Sequence, residues 1–212
     1  METKAGLLLV FVVLALSAAT TNATIVTIGL TAEITNIDRY SQWLNENFKV
    51  GDIITGSYTY DTDTPDTNPL STVADYVYTG APYGINLNIN GFTIQSSPDS
   101  AHFLISFANN HTGADFYGFI SYNNLPFSNG IPIDIISWQL DDYSCNALSS
   151  TELSSQPPDL EDWPRQGLLM TFGYKGGSIL GAKVTSVQIV PEPATLFLLM
   201  LGGLVLLKKS QS

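Results

Sequence analysis

The sequence predicts an all-β protein, an antiparallel β-sandwich similar to a jelly roll, with an N-terminal signal helix and a C-terminal hydrophobic helix. About ten short runs rich in β-branched and aromatic residues fill residues 24–189, each bounded by Gly, Pro, Asn or Asp. Helical periodicity is absent from them, except weakly around residues 39–47. Short strands without intervening helices are typical of sandwiches and jelly rolls. We therefore expect one β-domain over 24–189, between a signal peptide, 1–23, and a tail, 190–212.

The N-terminal segment has the three parts of a secretory signal. A charged start over residues 1–4 precedes an apolar run over 5–19, and the small residues of 21–23 suit signal peptidase. Cleavage is predicted after Ala23, with Ala18 or Ala19 as the second choice. An uncleaved membrane anchor is the alternative.

The strand-like runs follow one another through the body of the chain. The clearest local prediction is a hairpin at Asn90 and Gly91, because an Asn-Gly pair adopts the positive φ values of a type I′ turn. Alternation places Ile136, Trp138 and Leu140 on one face, and it predicts that the tryptophan is in the core. In order, the runs cover residues 24–34, 52–61, 73–80, 84–91, 92–96, 102–109, 115–123, 133–142, 168–175 and 178–190.

Two segments between these runs are predicted loops. Residues 61–70 form a turn-rich stretch after a strand, and residues 149–166 are long enough for a surface excursion. Trp163 is expected to anchor the second loop to the body.

The body is strongly acidic. Residues 24–190 contain 17 acidic and five basic residues, which gives a formal charge of −12. Such a surface repels nucleic acid and anionic lipid, so neither is an expected partner, whereas cationic ligands and calcium are compatible with it. The single cysteine, Cys145, has no partner for an internal disulfide, and it is expected to be a small buried hydrophobe.

The C-terminal tail is the most specific motif in the chain. Pro191, Glu192 and Pro193 predict an extended arm, because each proline fixes its own φ and restricts the residue before it. The predicted hydrophobic helix, 194–207, is about 21 Å long at ~1.5 Å per residue, which is short for a hydrocarbon core of ~30 Å. The basic end marks the cytoplasmic side. The predicted anchor includes Leu196, Phe197, Leu198, Leu199, Leu204, Lys208 and Lys209.

This order of triplet, apolar run and basic end resembles the PEP-CTERM sorting signal of Gram-negative bacteria. The resemblance implies an exosortase-type processing enzyme as partner, acting near Pro191, Glu192 and Pro193. It also implies retention at the periplasmic side of the inner membrane before processing, and then a place at the cell surface or outside the cell. An ordinary C-terminal anchor is the alternative.

The body also resembles a group of exported bacterial proteins of unassigned activity that carry the same tail. The shared patterns are GDxxTGSxTYDTxTPDxNP, here residues 51–69, and a WxLDD-like strand followed by LSSxxLxxxPPDL, here residues 138–160. This resemblance implies no activity.

One candidate metal site is an oxygen-rich cluster of Asp61, Asp63, Asp66 and Asn68. Alternating carboxylates on a loop can supply several of the oxygens that calcium needs. The glycine and the distal glutamate of an EF-hand loop are missing, and Asp and Asn also build turns without any ion. We expect turns, with calcium as the alternative and no other cofactor.

Paired acids suggest a second candidate, glycoside hydrolysis. Asp141 and Asp142 end a strand, and Glu161 and Asp162 lie in the long loop. That reaction needs two carboxyl groups about 5–9.5 Å apart across a cleft, which a sequence does not define. His102 and His111 have no ligand-spaced partners, and no nucleophile elbow, HExxH motif or phosphate loop occurs. The protein is therefore predicted to be non-enzymatic.

A third candidate is a set of tyrosines that share strand faces: Tyr58 with Tyr60, and Tyr76 with Tyr78. Exposed tyrosines can stack on sugar rings, whereas packing in the core is the alternative. The sequence thus predicts an exported structural or adhesive protein of the cell surface, extracellular matrix or biofilm, with exopolysaccharide as a candidate partner. A secreted glycan-active hydrolase is the alternative function.

Overall fold

The computed structural model describes residues 25–39, 41–173 and 177–191. The predicted signal peptide lies outside these residues, as does the predicted tail beyond Pro191. The described part contains ten strands, one short α-helix, α1 (Gln42–Asn47), and a 3-10 turn at Leu160–Asp162, so the all-β prediction is confirmed. The strands are β1 (Ile25–Ile37), β2 (Ile53–Asp61), β3 (Val73–Thr79), β4 (Gly84–Ile89), β5 (Phe92–Gln95), β6 (His102–His111), β7 (Ala114–Tyr122), β8 (Ile133–Asp142), β9 (Arg165–Phe172) and β10 (Ser178–Ile189).

All ten strands belong to one antiparallel sheet, in the order β3-β6-β7-β8-β9-β10-β1-β2-β4-β5. The sheet curls so that its two halves face each other. Tyr58 on β2 packs against Phe119 on β7, with ring centroids 5.0 Å apart, and the Tyr58 hydroxyl bonds to the hydroxyl of Tyr117, also on β7, at 2.8 Å. Because this ladder is continuous, the predicted division into the two sheets of a jelly-roll-like sandwich is not confirmed.

The local predictions within the sheet are confirmed. Asn90 and Gly91 have φ values of 51° and 86° between β4 and β5, as a type I′ turn requires. Ile136, Trp138 and Leu140 on β8 are all buried, and Trp138 is among the largest fully buried side chains of the described residues. Alternation along the strand was therefore sufficient to identify the core face.

Aromatic side chains close one end of the curled sheet. Trp43, next to the buried Leu44 of α1, packs its ring against Phe48, Phe92 and Phe127 at centroid distances of 4.9–5.8 Å. Ser41 begins α1 as its N-cap, with its hydroxyl accepting from the Leu44 N–H. An open cavity of about 610 Å³ lies beside this aromatic cluster, with Phe92 and Phe127 among its lining residues.

The opposite end carries the first residues of β1 and the last residues of β10. Ile28 pairs with Ile189, and the Val190 N–H donates to the Thr27 carbonyl at 2.9 Å. Val26 pairs with Tyr60 near the end of β2, and the long connection 143–164 between β8 and β9 starts and finishes here too. We call this the terminal end of the sheet.

In the residues that the structure describes, no helix has the length and apolar character to cross a membrane.

Candidate functional site

A cavity of about 340 Å³ lies at the terminal end, between the 143–164 connection and the inner face of the sheet. The sheet contributes Tyr60 from β2, Ile105 and Phe107 from β6, and Tyr117 from β7. The connection contributes residues between 147 and 163, including Trp163. We call this space the end cavity and the segment over it, 143–164, the covering loop.

The covering loop begins with a turn built around the Asp142 carboxylate. This buried group accepts hydrogen bonds from the backbone N–H groups of Ser144 and Asn146, both at 2.8 Å, and from the Ser144 hydroxyl at 2.6 Å. These donors, with the Ser144 hydroxyl the strongest, lower the pKa of Asp142 to about 2. Asp142 is therefore ionised at neutral pH and organises the turn.

A second buried carboxylate ties the covering loop to the sheet. Asp115, at the start of β7, is fully buried and accepts from the Asn110 N–H at 2.7 Å and from the Leu148 N–H at 2.9 Å. Trp163 is buried at the other end of the loop, with its ring 6.5 Å from that of Tyr117. The prediction that Trp163 anchors this excursion is confirmed.

Tyrosine hydroxyls make further bonds between the sheet and the loop. Tyr60 donates to the Ser154 carbonyl at 2.5 Å, and Tyr76 donates to the Thr151 carbonyl at 2.9 Å. The hydroxyls of Tyr58 and Tyr117 bond to each other at 2.8 Å in the interior. Burial raises the pKa of Tyr60 to about 12 and raises that of Tyr117 as well, so both are neutral at physiological pH. These hydroxyls are occupied and both side chains are at most 5 % exposed, so Tyr60 and Tyr117 form a packed wall of the cavity.

The charged groups around the end cavity are all acidic. Glu152, Asp159 and Asp162 are among its lining residues, which include no Lys, Arg or His. Asp159 accepts the Glu161 N–H with one carboxylate oxygen at 3.1 Å. The Glu152 and Asp162 side chains are exposed, and neither carboxylate accepts a hydrogen bond from any residue within 25–39, 41–173 or 177–191. The cavity thus combines an aromatic floor with an anionic rim.

The structure corrects the premise that the predicted tyrosine site is exposed. Tyr58, Tyr60, Tyr76 and Tyr78 are all buried and at most 6 % exposed. Their shared strand faces point into the curled sheet, and the Tyr58 and Tyr60 rings stack on each other at 5.9 Å. Core packing, the alternative, is confirmed for all four. Of these residues, only Tyr60 lines the end cavity.

The predicted calcium cluster forms a series of turns that covers the edge strand β3. Asp61 accepts the Asp63 N–H at 3.0 Å, and Asp66 accepts the N–H groups of Asn68 at 2.8 Å and Asp75 at 2.9 Å. The Asp75 bond satisfies a backbone donor on the open edge of β3. Among the described residues, no three His, Cys, Asp or Glu side chains are arranged to hold a metal ion. The turn prediction is confirmed, and calcium binding stays a prediction.

The neighbouring acids Asp141 and Asp142 lie on opposite faces of β8. Asp142 is buried and turned inward, whereas Asp141, its neighbour on β8, accepts both bonds from the Gln139 side chain at 2.9 and 3.0 Å on the other face. Of Glu161 and Asp162, only Asp162 lines the end cavity. His102 and His111 both lie on β6, where His111 contacts the Thr72 hydroxyl at 3.0 Å.

Sequence reasoning missed several residues of the end cavity. Phe107 and Glu152 were not singled out, because a strand phenylalanine and a loop glutamate are both ordinary. Asp115 was also missed, although an acid at the start of a strand beside a turn is a usual backbone acceptor. No signal in a single sequence brings these distant residues together.

The predicted sorting residues can be placed only in part. Pro191 follows Val190 as an exposed residue at the end of the described chain. Glu192, Pro193 and the anchor residues 194–209 lie outside the described residues. Comparison with known proteins finds no match for this chain among family models, curated proteins or solved structures.

Proposed function

We propose that this is an exported, non-enzymatic protein of the cell surface or extracellular matrix, sorted through its PEP-CTERM-like tail, and that it binds polysaccharide. The observation that carries the proposal is the order of Pro191, Glu192 and Pro193, the apolar run 194–207, and Lys208 and Lys209 at the terminus. An exosortase-type enzyme is the proposed partner. The inner membrane, on its periplasmic side, is the proposed location before processing.

The arrangement of the chain ends supports this proposal. The first described residues of β1 and the last of β10 lie on neighbouring strands at the terminal end, joined by the bond from Val190 to Thr27. Before their removal, a predicted signal segment before β1 and a predicted anchor after β10 would therefore both be attached at the same end of the body. This geometry suits a β-domain that crosses one membrane and stays beside it until it is released.

We retain the sandwich description as part of the proposal. Contact between the curled halves supports it, since Tyr58 on β2 packs against Phe103 on β6 and Phe119 on β7. The proposed body is then a sandwich whose two layers are joined through β9 and β10.

Mass spectrometry of the protein from its native host tests the sorting proposal. We expect a mature chain that begins near residue 24 and ends near the Pro-Glu-Pro triplet. Replacing Pro191, Glu192 and Pro193 together by alanine should leave the chain uncut in the inner membrane, and deleting 190–212 should release it into the periplasm or medium. As a control, Lys183→Ala changes an exposed basic residue of β10, and processing should proceed normally. A chain without residues 190–212 that still fractionates with the inner membrane would refute the tail as the anchor.

The alternative function, a glycan-active hydrolase, is favoured by one observation: three acidic residues line a single cavity. Hydrolysis requires one of them to act as a general acid and another as a nucleophile or base. Release of new reducing ends from exopolysaccharide, lost in Glu152→Gln or Asp162→Asn, would establish this alternative. No release by a correctly folded chain would refute this alternative.

A further inference from the structure

We propose that the outer face of β10, β1, β2, β4 and β5 binds an extended, neutral polysaccharide. The inference rests on the proposed function for the sugar class of the ligand, and it adds where the ligand lies and that the ligand carries no charge. Three features of this face carry it: rows of hydroxyl and carboxamide side chains, a groove along one row, and the lack of charged groups.

Two neighbouring rows of uncharged polar side chains run across these five adjacent strands. Tyr58 and Leu87 are buried against the interior, so the residues that alternate with them lie on the outer face. The first row contains Gln188, Ser57, Asn86 and Gln95, with Gly29 between the first two, and the second contains Ser186, Thr31, Thr55, Asn88 and Thr93. At a strand spacing of ~4.8 Å each row is about 19 Å long, and the rows lie roughly 6.7 Å apart. We call these two rows the neutral face, which is long enough for several units of an extended sugar chain.

The first row has free hydrogen-bonding capacity. The Ser57 hydroxyl and the carboxamides of Asn86 and Gln95 are at least partly exposed, and they form no hydrogen bond with any residue in the described part of the chain. A carboxamide offers both donors and an acceptor, and so does a hydroxyl. Each sugar hydroxyl is itself a donor and an acceptor, so neighbouring hydroxyls of a sugar chain can bond to neighbouring members of this row.

A groove of about 250 Å³ follows the first row across β2, β4 and β5. The three polar side chains described above line it from the sheet, and the exposed Pro82 and Pro98 line it from two loops. The Ala81 N–H donates to the Pro98 carbonyl at 2.9 Å, which joins these loops. The buried Ser96 hydroxyl accepts the Ile85 N–H at 3.0 Å and fixes the second loop to β4. The groove is therefore preformed, with polar groups on one side for sugar hydroxyls and apolar proline rings on the other for sugar C–H groups.

The lack of charge on this face selects a neutral ligand. Neither the two rows nor the residues that line the groove include Asp, Glu, Lys or Arg. Charged residues begin beyond the rows, with Asp61 at the end of β2 and the cross-strand pair Glu33 and Lys183. The body carries a formal charge of −12, so a polysaccharide with carboxylate or phosphate groups is repelled and finds no cation in the groove. A neutral polysaccharide is not repelled, and its hydroxyls are groups that the face can bond.

Isothermal titration with matched oligosaccharides tests the inference. The full chain is purified in a polyoxyethylene detergent, which contains no sugar. The neutral probes are the β-1,4-linked hexamers mannohexaose and cellohexaose. The comparison probes are the β-1,4-linked mannuronate hexamer, which differs from mannohexaose by a carboxylate on each unit, and mannobiose. We expect a neutral hexamer to bind at least about tenfold more tightly than either comparison probe, because it is not repelled and reaches more of the row.

Three results of this titration would contradict the inference. Equal binding of the mannuronate hexamer would overturn the neutral ligand, and equal binding of mannobiose would overturn the extended site. If the full chain binds neither neutral hexamer, the inference is wrong. Retention of that same chain on exopolysaccharide from the native host would still support the proposed function, so the two failures can be told apart.

Variants locate the binding on the neutral face. Asn86→Ala and Gln95→Ala each remove a carboxamide that bonds to no described residue, so the melting curve should be nearly unchanged and binding of the neutral hexamer should weaken by about threefold to tenfold. Gln139→Ala is the matched control, because Gln139 is an exposed carboxamide of β8 that lies outside both rows. If Asn86→Ala and Gln95→Ala bind the hexamer like Gln139→Ala, the site is not on this face and the inference is wrong. Processing of the same variants in the host reports on the sorting proposal separately, since none of these residues lies in the tail.

Discussion

Asp115→Asn is the substitution that most directly tests how the covering loop is held. The buried carboxylate accepts two backbone N–H groups, from Asn110 at 2.7 Å and from Leu148 at 2.9 Å. An asparagine of the same shape keeps one acceptor oxygen and turns an N–H₂ group toward the other donor. One bond to a charged group, worth about 1.5–3 kcal/mol, is then lost and two donors face each other in the interior.

We expect the free energy of unfolding to fall by about 2–4 kcal/mol in Asp115→Asn. At ~2–4 °C per kcal/mol for a domain of this size, Tm should fall by about 5–15 °C. Thermal unfolding followed by circular dichroism measures this change. Hydrogen exchange then identifies which bond is lost, because the Leu148 amide should exchange faster if the loop has been released.

The control for this prediction is Asp99→Asn, at an exposed carboxylate in the turn between β5 and β6. A surface substitution of this kind should change stability by no more than about 0.5 kcal/mol. If Asp115→Asn is as stable as the control, the carboxylate does not hold the loop, and our account of the end cavity as a fixed site is wrong.

Three further predictions concern the sheet, the buried phenols and the acidic turns. Gly56→Ala should lower the free energy of unfolding, measured in urea, by at least about 2 kcal/mol. The new Cβ would collide with the Asn86 carbonyl and lie 2.6 Å from the Leu87 Cα. Gly167→Ala is the control, because a Cβ there meets open space, and its stability should be nearly unchanged. Burial raises the pKa of Tyr60 from 10.0 to about 12, so its contribution to stability is complete below pH 10 and is lost as pH rises to about 12. Tyrosinate absorbance should therefore rise together with loss of the circular dichroism signal between pH 10 and about 12. Tyr60→Phe should make the loss of stability with pH less steep. Ionisation of tyrosine without unfolding would contradict this prediction. Melting curves in millimolar calcium and in chelator should coincide, because Asp66 already accepts two backbone N–H groups, and a higher Tm in calcium would establish the alternative.

The sequence was sufficient to predict those features that depend on neighbouring residues. Alternation identified the buried face of β8 around Trp138, and the Asn90-Gly91 pair identified the β4–β5 turn. Both depend on backbone geometry within a few residues. The strand order could not be predicted from the sequence. β1 pairs with β10, at the other end of the chain, and no local pattern encodes that partner.

The tyrosines show why the candidate site was harder to predict than the strands. Alternation correctly placed Tyr58 and Tyr60 on one face, but tyrosine suits buried and exposed faces alike, so the pattern did not say which face lay inside. The curling of the sheet decides this, and it depends on contacts between β2 and β7 such as the bond from Tyr58 to Tyr117. The end cavity depends on the same contacts, and on an Asp115 that bonds to a loop 33 residues away.

The position of the end cavity connects the proposed sorting to the proposed binding. Val190 is bonded to Thr27 beside the cavity, and only Pro191, Glu192 and Pro193 separate it from the apolar run that begins at Ala194. Four residues span at most about 14 Å when fully extended. With the proposed anchor inserted in a bilayer, the cavity would be held close to the membrane surface, which would obstruct a bulky polysaccharide. In the proposed sorting, cleavage at the triplet would remove this constraint, so processing would both release the protein and uncover this end of the body.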